Sequence, residues 1–299
     1  MDVIEAALRQ GLSIVITYLD FKNAFNSVDV LACLTILRHF NVPNVDLLER
    51  IYRGAYYQAR MVNGRFTAQI PLTRGTKQGD PLSPLIFNLT INILFRMLAQ
   101  SGHAFTANLS LGLCRTIKRS LNSKGFADDT TLVTHNVMST NILLNVVQSF
   151  CAYTGMQVRH EKCEVTGFDF GTNKPMDVSG VRFEGKSLPS LAHKDSARYL
   201  GIHVSLSLNW ATEKRYVMAK MYHAIEQLRN TCFTRAQLLM LFRVCVIPIF
   251  RYSAPLVPWT QKELHSIDRL WSKAIKYALR LPVSFDLAPV LLDKVVGGF

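Results

Sequence analysis

Three carboxylates stand where solvation alone does not account for them. Asp20 ends the β-branched apolar run Ile14-Val15-Ile16-Thr17-Tyr18-Leu19, and Asp128 and Asp129 lie between Phe126-Ala127 and Leu132-Val133. A carboxylate taken out of water without a partner is costly, and buried acids persist when paired or bound to metal. Taken singly, Asp20 reads equally well as a strand-end acid capping the next turn, and two adjacent Asp residues are ordinary turn formers. Taken together, acids at two strand ends could converge on a pair of divalent ions. Such ions suit phosphoryl transfer: Mg2+ takes hard oxygen donors and keeps positions open for substrate phosphates. Two ions about 3.5–4 Å apart activate an attacking hydroxyl and stabilise a leaving oxygen. Neighbouring side chains on a strand point to opposite faces, so Asp128 and Asp129 cannot be equivalent.

The elements that must hold these acids are readable from pattern. Residues 14–19 read as a buried strand, and residues 29–58 as two helices broken at Asn41-Val42-Pro43-Asn44. Ala59–Val62 and Phe66–Ile70 flank Asn63-Gly64, a hairpin signal. The Gly-bearing turn Arg74–Pro81 leads into a long apolar helix over 84–100, with Ser83 as its expected N-cap and Pro84 as its first residue. Phe126–Val133 reads as a hairpin with an acidic tip, and Asn141–Tyr153 as a helix ended by Thr154-Gly155. Strands alternate with turns from about 163 to 204, and helices follow, so the expected boundary falls near 204–210.

The chain has 299 residues, 34 Lys+Arg against 21 Asp+Glu, and a net charge of +13. That length suggests about two domains, and an apolar fraction of 49% excludes disorder and collagen-like structure. The basic balance favours a polyanionic partner. It is uneven: residues 205–299 carry net +7 and the longer remainder +6. Arg269, Lys273, Lys276 and Arg280 share one helical face, which is either a solvated surface or a track for a phosphate backbone. No apolar stretch reaches the ~18–20 residues of a membrane span, since Leu238–Phe250 is interrupted by Arg243 and Pro248. Met1–Glu5 lacks the character of a secretory signal, and six scattered cysteines without C-x-x-C fit a reducing compartment.

The motifs resemble a known family. Tyr18-Leu19-Asp20-Phe21-Lys22-Asn23-Ala24-Phe25 is similar to the first palm motif of reverse transcriptases, and Arg74–Asn88, containing Lys77-Gln78-Gly79-Asp80-Pro81, to the second in the form of non-LTR (LINE-type) retrotransposons. Phe126-Ala127-Asp128-Asp129 resembles the metal-binding turn, Thr154–Lys162 the fourth motif and Arg198-Tyr199-Leu200-Gly201-Ile202 the primer grip. Five motifs in order are specific, and Leu188–Leu191 is similar to a stretch of the site-specific elements.

The resemblance implies an α+β fold: a palm of antiparallel sheet backed by helices over 1–204, with partial fingers at about 30–75, and a helical thumb over 205–299. It implies an RNA-directed DNA polymerase that transfers nucleotides from dNTPs to a DNA primer on an RNA template, with no membrane partner and a nuclear workplace. Asp20 and Asp128 would hold two Mg2+ ions, or Mn2+ in their place, with Asp129 assisting and the Phe21 carbonyl as a further ligand. Phe25 would be the gate against a ribose 2′-hydroxyl, Gln78 and Gly79 would shape the nucleotide pocket, and Lys162 would protonate the pyrophosphate leaving group. Tyr199, Leu200 and Gly201 would position the primer end, and the thumb would grip the duplex through its backbone. Nineteen residues precede Asp20, fewer than the family's fingers need, so a palm-plus-thumb piece is expected. A catalytically inactive nucleic-acid-binding descendant and a group II intron-type maturase are the alternative readings.

Overall fold

The computed structural model describes residues 2–62, 64–72, 74–76, 79–110, 116–229 and 233–287. The chain divides into two compact units, residues 1–200 and 201–299.

The first unit is built on β1 (Ser13–Leu19), which follows helix α1 (Asp2–Gln10). The apolar run of β1 is buried along almost its whole length, as a strand with neighbours on both sides requires. Three helices follow: α2 (Ala24–Ser27), α3 (Val30–His39) and α4 (Val45–Arg53). Asp29 caps α3 by accepting a hydrogen bond from Ala32 N at 3.0 Å. β2 (Tyr56–Tyr57) and β3 (Ile70–Pro71) form a hairpin whose Arg60–Phe66 bridge extends it toward the tip.

The long helix α5 spans Ser83–Gln100. Ser83 is its first residue rather than its cap. Asp80 closes the preceding turn instead, its side chain accepting from Leu82 N (3.0 Å) and its carbonyl from Ser83 N (3.1 Å). β4 (Phe105–Ser110) and β5 (Thr116–Leu121) make a second hairpin, then β6 (Ser123–Phe126) and β7 (Asp129–Thr134) a third. Helix α6 runs from Val137 to Thr154, starting four residues before the expected Asn141; the Asn136 side chain caps it and Gly155 ends it in the left-handed conformation. β8 (Glu164–Asp169) returns beside β1 and β9 (Lys174–Pro175) closes the edge; β10 (Arg182–Phe183) pairs with β11 (Lys186–Ser187), and β12 is Ala197–Tyr199.

The sheet order is β6-β7-β1-β8-β9, and every pairing in it is antiparallel. Its buried face packs on α5 and α6 through Phe87, Leu94, Leu98, Leu143, Leu144, Val147 and Phe150. The unit is an α+β palm.

The second unit begins with β13 (Ile202–Val204) and continues in helices α7 (Ala211–Arg229), α8 (Arg235–Leu241), α9 (Ile247–Ser253) and α10 (Gln261–Leu279). Its core joins Val217, Met221 and Ile225 of α7 to Phe242, Val246, Ile267, Leu270 and Ile275. Glu213 is buried, and accepts from His203 N (2.9 Å) and Nδ1 (2.7 Å), satisfying a charge that would otherwise be costly. Helices α8 and α9 are continuous through a π-helical turn, Phe242–Val246, placed where Pro248 withholds a backbone donor. The resulting run, Arg235–Ser253, is long and apolar enough by length and composition to cross a membrane, where the sequence reading expected no such stretch. The interruption by Arg243 and Pro248 does not break the helix. Leu238, Phe242, Val246 and Ser253 of this run are buried, while Met240, Val244 and Tyr252 are exposed.

Candidate active site

Strand register decides where the acids stand. β1 and β7 pair from Val15 opposite Thr134 to Leu19 opposite Thr130, so the next step sets Asp20 beside Asp129. β6 and β7 pair up to Phe126 opposite Asp129, which leaves Ala127 and Asp128 as a two-residue turn. Ala127 adopts φ 55°. A left-handed alanine costs about 1–2 kcal/mol, and such strain gathers at functional sites. The Asp129 carboxyl is held above the usual carboxylate range, first by burial and then by the charges of Asp128 and Asp20. The three acids therefore share one electrostatic site.

The chain beyond Asp20 is clamped by residues 157–159. Lys22 N donates to Gln157 O and Arg159 N to Asp20 O, both at 2.8 Å, and Phe21 forms a bridge with Val158. The clamp delivers Arg159, a residue the sequence reading did not single out: its Nε lies 3.5 Å from Asp20 Oδ2. That oxygen is buried and accepts no hydrogen bond. A buried carboxylate oxygen that accepts no hydrogen bond, with an arginine at 3.5 Å and two further acids nearby, is donor chemistry a hard divalent cation takes. The residues fit such an ion. Among the described residues no three His, Cys, Asp or Glu side chains form a ready-made metal cluster, and Mg2+ sites commonly rely on one or two carboxylates with water and substrate phosphates supplying the rest.

Phe25, on α2, is half-buried and stacks on the fully buried Phe87 at 4.2 Å between ring centroids and 27° between planes. Its backbone is fastened to the turn that leads into α5. Thr76 N donates to Phe25 O (2.8 Å) and Gly75 N to Val28 O (2.8 Å), and the Thr76 hydroxyl also donates to Phe25 O (3.4 Å). Gly75 has φ 81°, and a Cβ there would lie 2.6 Å from Asn26 Cα, so only glycine permits this approach. Neither Gly75 nor Thr76 was expected to matter; the signal available was the glycine within a turn-rich segment. Gly79 also has a positive φ, 85°, but in open space. Gln78 lies outside the described residues.

Lys162 sits on the short 3-10 turn His160–Lys162. It is exposed, and makes no ion pair among the described residues. Tyr199 reaches toward the acids: its ring centroid is 5.9 Å from that of Tyr18. Burial and, more weakly, the Asp129 charge hold its phenol above the ordinary value, opposed by the Thr131 hydroxyl beside it. Leu200 and Gly201 follow with φ 47° and 80°, consecutive left-handed residues that make a tight turn. On α10, Arg269 and Lys273 are exposed, and Lys276 is half-buried with its Nζ donating to Val283 O at 2.5 Å, whereas Arg280, expected on the same helical face, lies just past the helix as its exposed, left-handed C-cap (φ 56°).

Carboxylates gathered at the ends of adjacent central strands, in an antiparallel sheet backed by two long helices, define a polymerase-type palm. The chain belongs to the reverse transcriptase family: the family described as reverse transcriptase (RNA-dependent DNA polymerase) matches residues 2–204. It is 26% identical over 293 residues to the retrovirus-related Pol polyprotein from type-2 retrotransposable element R2DM of Drosophila melanogaster, covering 95% of this chain and 26% of that protein. It is 28% identical over 205 residues to the corresponding R2 polyprotein of Popillia japonica, covering 66% of this chain and 32% of that one. Its reverse transcriptase domain is thus of the non-LTR retrotransposon kind, and the chain spans about a quarter to a third of these relatives. Among solved structures it is similar to apo telomerase from Candida tropicalis truncated from its C-terminal domain, with TM-score 0.45 and 12% identity over 69% of this chain and 37% of that one.

Proposed function

We propose that this chain is the catalytic core of an RNA-directed DNA polymerase that extends a DNA primer on an RNA template with dNTPs. The observation that carries the reading is the strand register that sets Asp20 beside Asp129 and leaves Asp128 at the turn. Asp20 and Asp128 would hold two Mg2+ ions, with Asp129 and the Phe21 carbonyl as further oxygen donors. When bound there, the ions supply activation of the primer hydroxyl and neutralisation of the phosphates.

The chain's own residues do the rest. Asp20 and Asp128 supply paired negative charge on elements whose backbone is clamped on both sides. Phe25, stacked on Phe87, presents a ring that excludes a 2′-hydroxyl. Gly79 gives the backbone close access to a nucleotide. Lys162 offers its Nζ proton to the departing pyrophosphate. The neutral Tyr199 phenol and the turn at Leu200-Gly201 position the primer end. Unit 201–299 acts as the thumb, its Arg269, Lys273, Lys276 and Arg280 face holding the duplex backbone.

Primer extension on an RNA template with Mg2+ tests this reading. Extension by the chain that is lost in Asp128→Ala supports it. Retained nucleic-acid binding without extension, in the chain and in a version lengthened at its N-terminus with a relative's fingers, would leave a binding module instead.

A further inference from the structure

The chemistry above employs the acids and leaves one cation beside them without a task. Asp20, Asp128 and Asp129 form one electrostatic cluster, since the Asp129 carboxyl feels the charges of the other two. Among the described residues, Arg159 is the one cation that forms an ion pair with any of the three.

That pair is loose. Arg159 Nε lies 3.5 Å from Asp20 Oδ2, and this buried oxygen accepts no hydrogen bond, so charge rather than bonding geometry joins them. The side chain is also not what fastens the two segments. The backbone does that, through Arg159 N donating to Asp20 O at 2.8 Å and the bridge between Phe21 and Val158. Arg159 further precedes the 3-10 turn that carries Lys162, whose N donates to Arg159 O at 3.0 Å. Its guanidinium therefore stands between the metal-ligand acid and the turn assigned to the leaving group. A guanidinium offers five donors in a planar fork, which suits a phosphate as well as a carboxylate.

A divalent ion on Asp20 and the Arg159 guanidinium would answer the same carboxylate, and two cations so close repel. A triphosphate changes the balance, because it brings enough negative charge to engage both. We propose that Arg159 is a positioning residue that makes metal binding at the acids depend on the nucleotide: its guanidinium opposes the ion at Asp20 until a triphosphate draws it away. The inference rests on the polymerase reading above, and deepens it by naming what couples the metal to the nucleotide. Such coupling is reciprocal, so either ligand reports it.

The test uses the full chain, two neutral variants, Arg159→Gln and Arg159→Met, and the charge-retaining Arg159→Lys. Mn2+ affinity without nucleotide is read by electron paramagnetic resonance titration. The affinity for labelled dTTP is read by equilibrium dialysis, once with Mn2+ and once with EDTA. Chelation of Mn2+ by dTTP in solution is common to all four proteins and cancels in their comparison. We expect both neutral variants to bind Mn2+ about three- to tenfold more tightly than the parent, the range for a partly exposed charge pair. Mn2+ should enhance dTTP binding less in them, by the same factor, and Arg159→Lys should stay within about twofold of the parent. The backbone clamp survives either neutral change, and one variant reports if the other fails to fold. Unchanged or weakened Mn2+ binding in the neutral variants overturns the proposal. So does tighter Mn2+ binding with undiminished enhancement of dTTP, or a lysine variant that behaves like the neutral pair. Asp128→Ala separates the two readings. If it lowers Mn2+ affinity while the Arg159 variants leave it unmoved, the polymerase site stands and this inference alone falls; if it leaves Mn2+ binding unchanged, both fall.

Discussion

Among single residues, Asp20, Asp128 and Gly75 carry the most argument for their size. Asp20 has one oxygen without a hydrogen-bond partner and an arginine Nε at 3.5 Å, and Asp128 stands at a turn whose neighbour Ala127 is left-handed. Asp128→Asn keeps the turn's shape and removes the charge. We expect primer extension to fall by at least a thousandfold while anisotropy shows duplex affinity within about twofold, on the general scale of lost charge stabilisation at a phosphoryl-transfer centre. Gly75 is a steric case. A Cβ 2.6 Å from Asn26 Cα meets backbone, which cannot rotate away, and the positive φ adds its own penalty. Gly75→Ala should therefore loosen the Thr76–Phe25 fastening as well as destabilise the palm by about 1–3 kcal/mol. A urea titration reads the stability. The ratio of ribonucleotide to deoxynucleotide incorporation reads the fastening, and should rise in Gly75→Ala as it does, more strongly, in Phe25→Ala. An unchanged ratio in Gly75→Ala would show that the gate is held by the Phe87 stack alone.

Elements explain which of these features could be read in advance. The acids were legible because a β-branched run that stops at Asp is both a strand and its end, and because Phe126-Ala127-Asp128-Asp129 precedes another apolar strand. The helices α3 and α4 were legible from their break at 41–44, and α6 from the glycine that ends it. Arg159 was not, because its meeting with Asp20 is made by backbone pairing between segments far apart in sequence. The place of Gly125 also had no evident reason in the sequence. The fold supplies one: a Cβ at Gly125 would fall 2.1 Å from Cζ of Phe95 on α5, whose ring would have to shift. Gly125→Ala should lower the palm's melting temperature, and Phe95→Leu in the same chain should recover part of the loss, a non-additivity that thermal denaturation of the four combinations measures. In the second unit, Glu263 both completes the capping box with Thr260 and accepts Lys214 Nζ at 2.8 Å, tying α10 to α7. The Lys214 ammonium, first, and the Thr260 amide hold its carboxyl down to about 2. A depressed folded value means the stabilisation is present above the ordinary value near 4.5 and is lost as pH falls from there toward 2. The pair is partly exposed, so it is worth at most about 1 kcal/mol. Glu263→Gln should flatten that part of the stability–pH profile, read by circular dichroism melting between pH 6 and pH 2.5.

At the scale of the whole molecule, charge is distributed by task. Three acids meet at one point of a first unit that is itself basic overall, and residues 205–299 hold net +7, their helices packing Val217, Met221, Ile225, Phe242, Ile267 and Leu270 into a common core. On α10, Ile267, Leu270 and Ile275 face that core and Ala278 is buried beside them, which leaves Arg269 and Lys273 outward at helical spacing, with Arg280 exposed at the left-handed C-cap just beyond. Lys276 differs, since its ammonium is engaged by the Val283 carbonyl, so the four basic residues read as one stripe in the sequence are not equivalent in the fold. If this stripe holds a duplex by its phosphates, its effect must be independent of base sequence and steep in salt. The triple change Arg269→Gln, Lys273→Gln and Arg280→Gln should then lower the slope of log affinity against log salt by about 2.7 for a DNA duplex, at ~0.9 per phosphate contact, equally for duplexes of unrelated sequence. Lys276→Gln should change the slope by less than any of the three singly, and should cost stability through the Val283 contact. A slope unaltered by the triple change would make the stripe a solvated helix face, and would move the search for the duplex contact to the other basic side chains of residues 201–299.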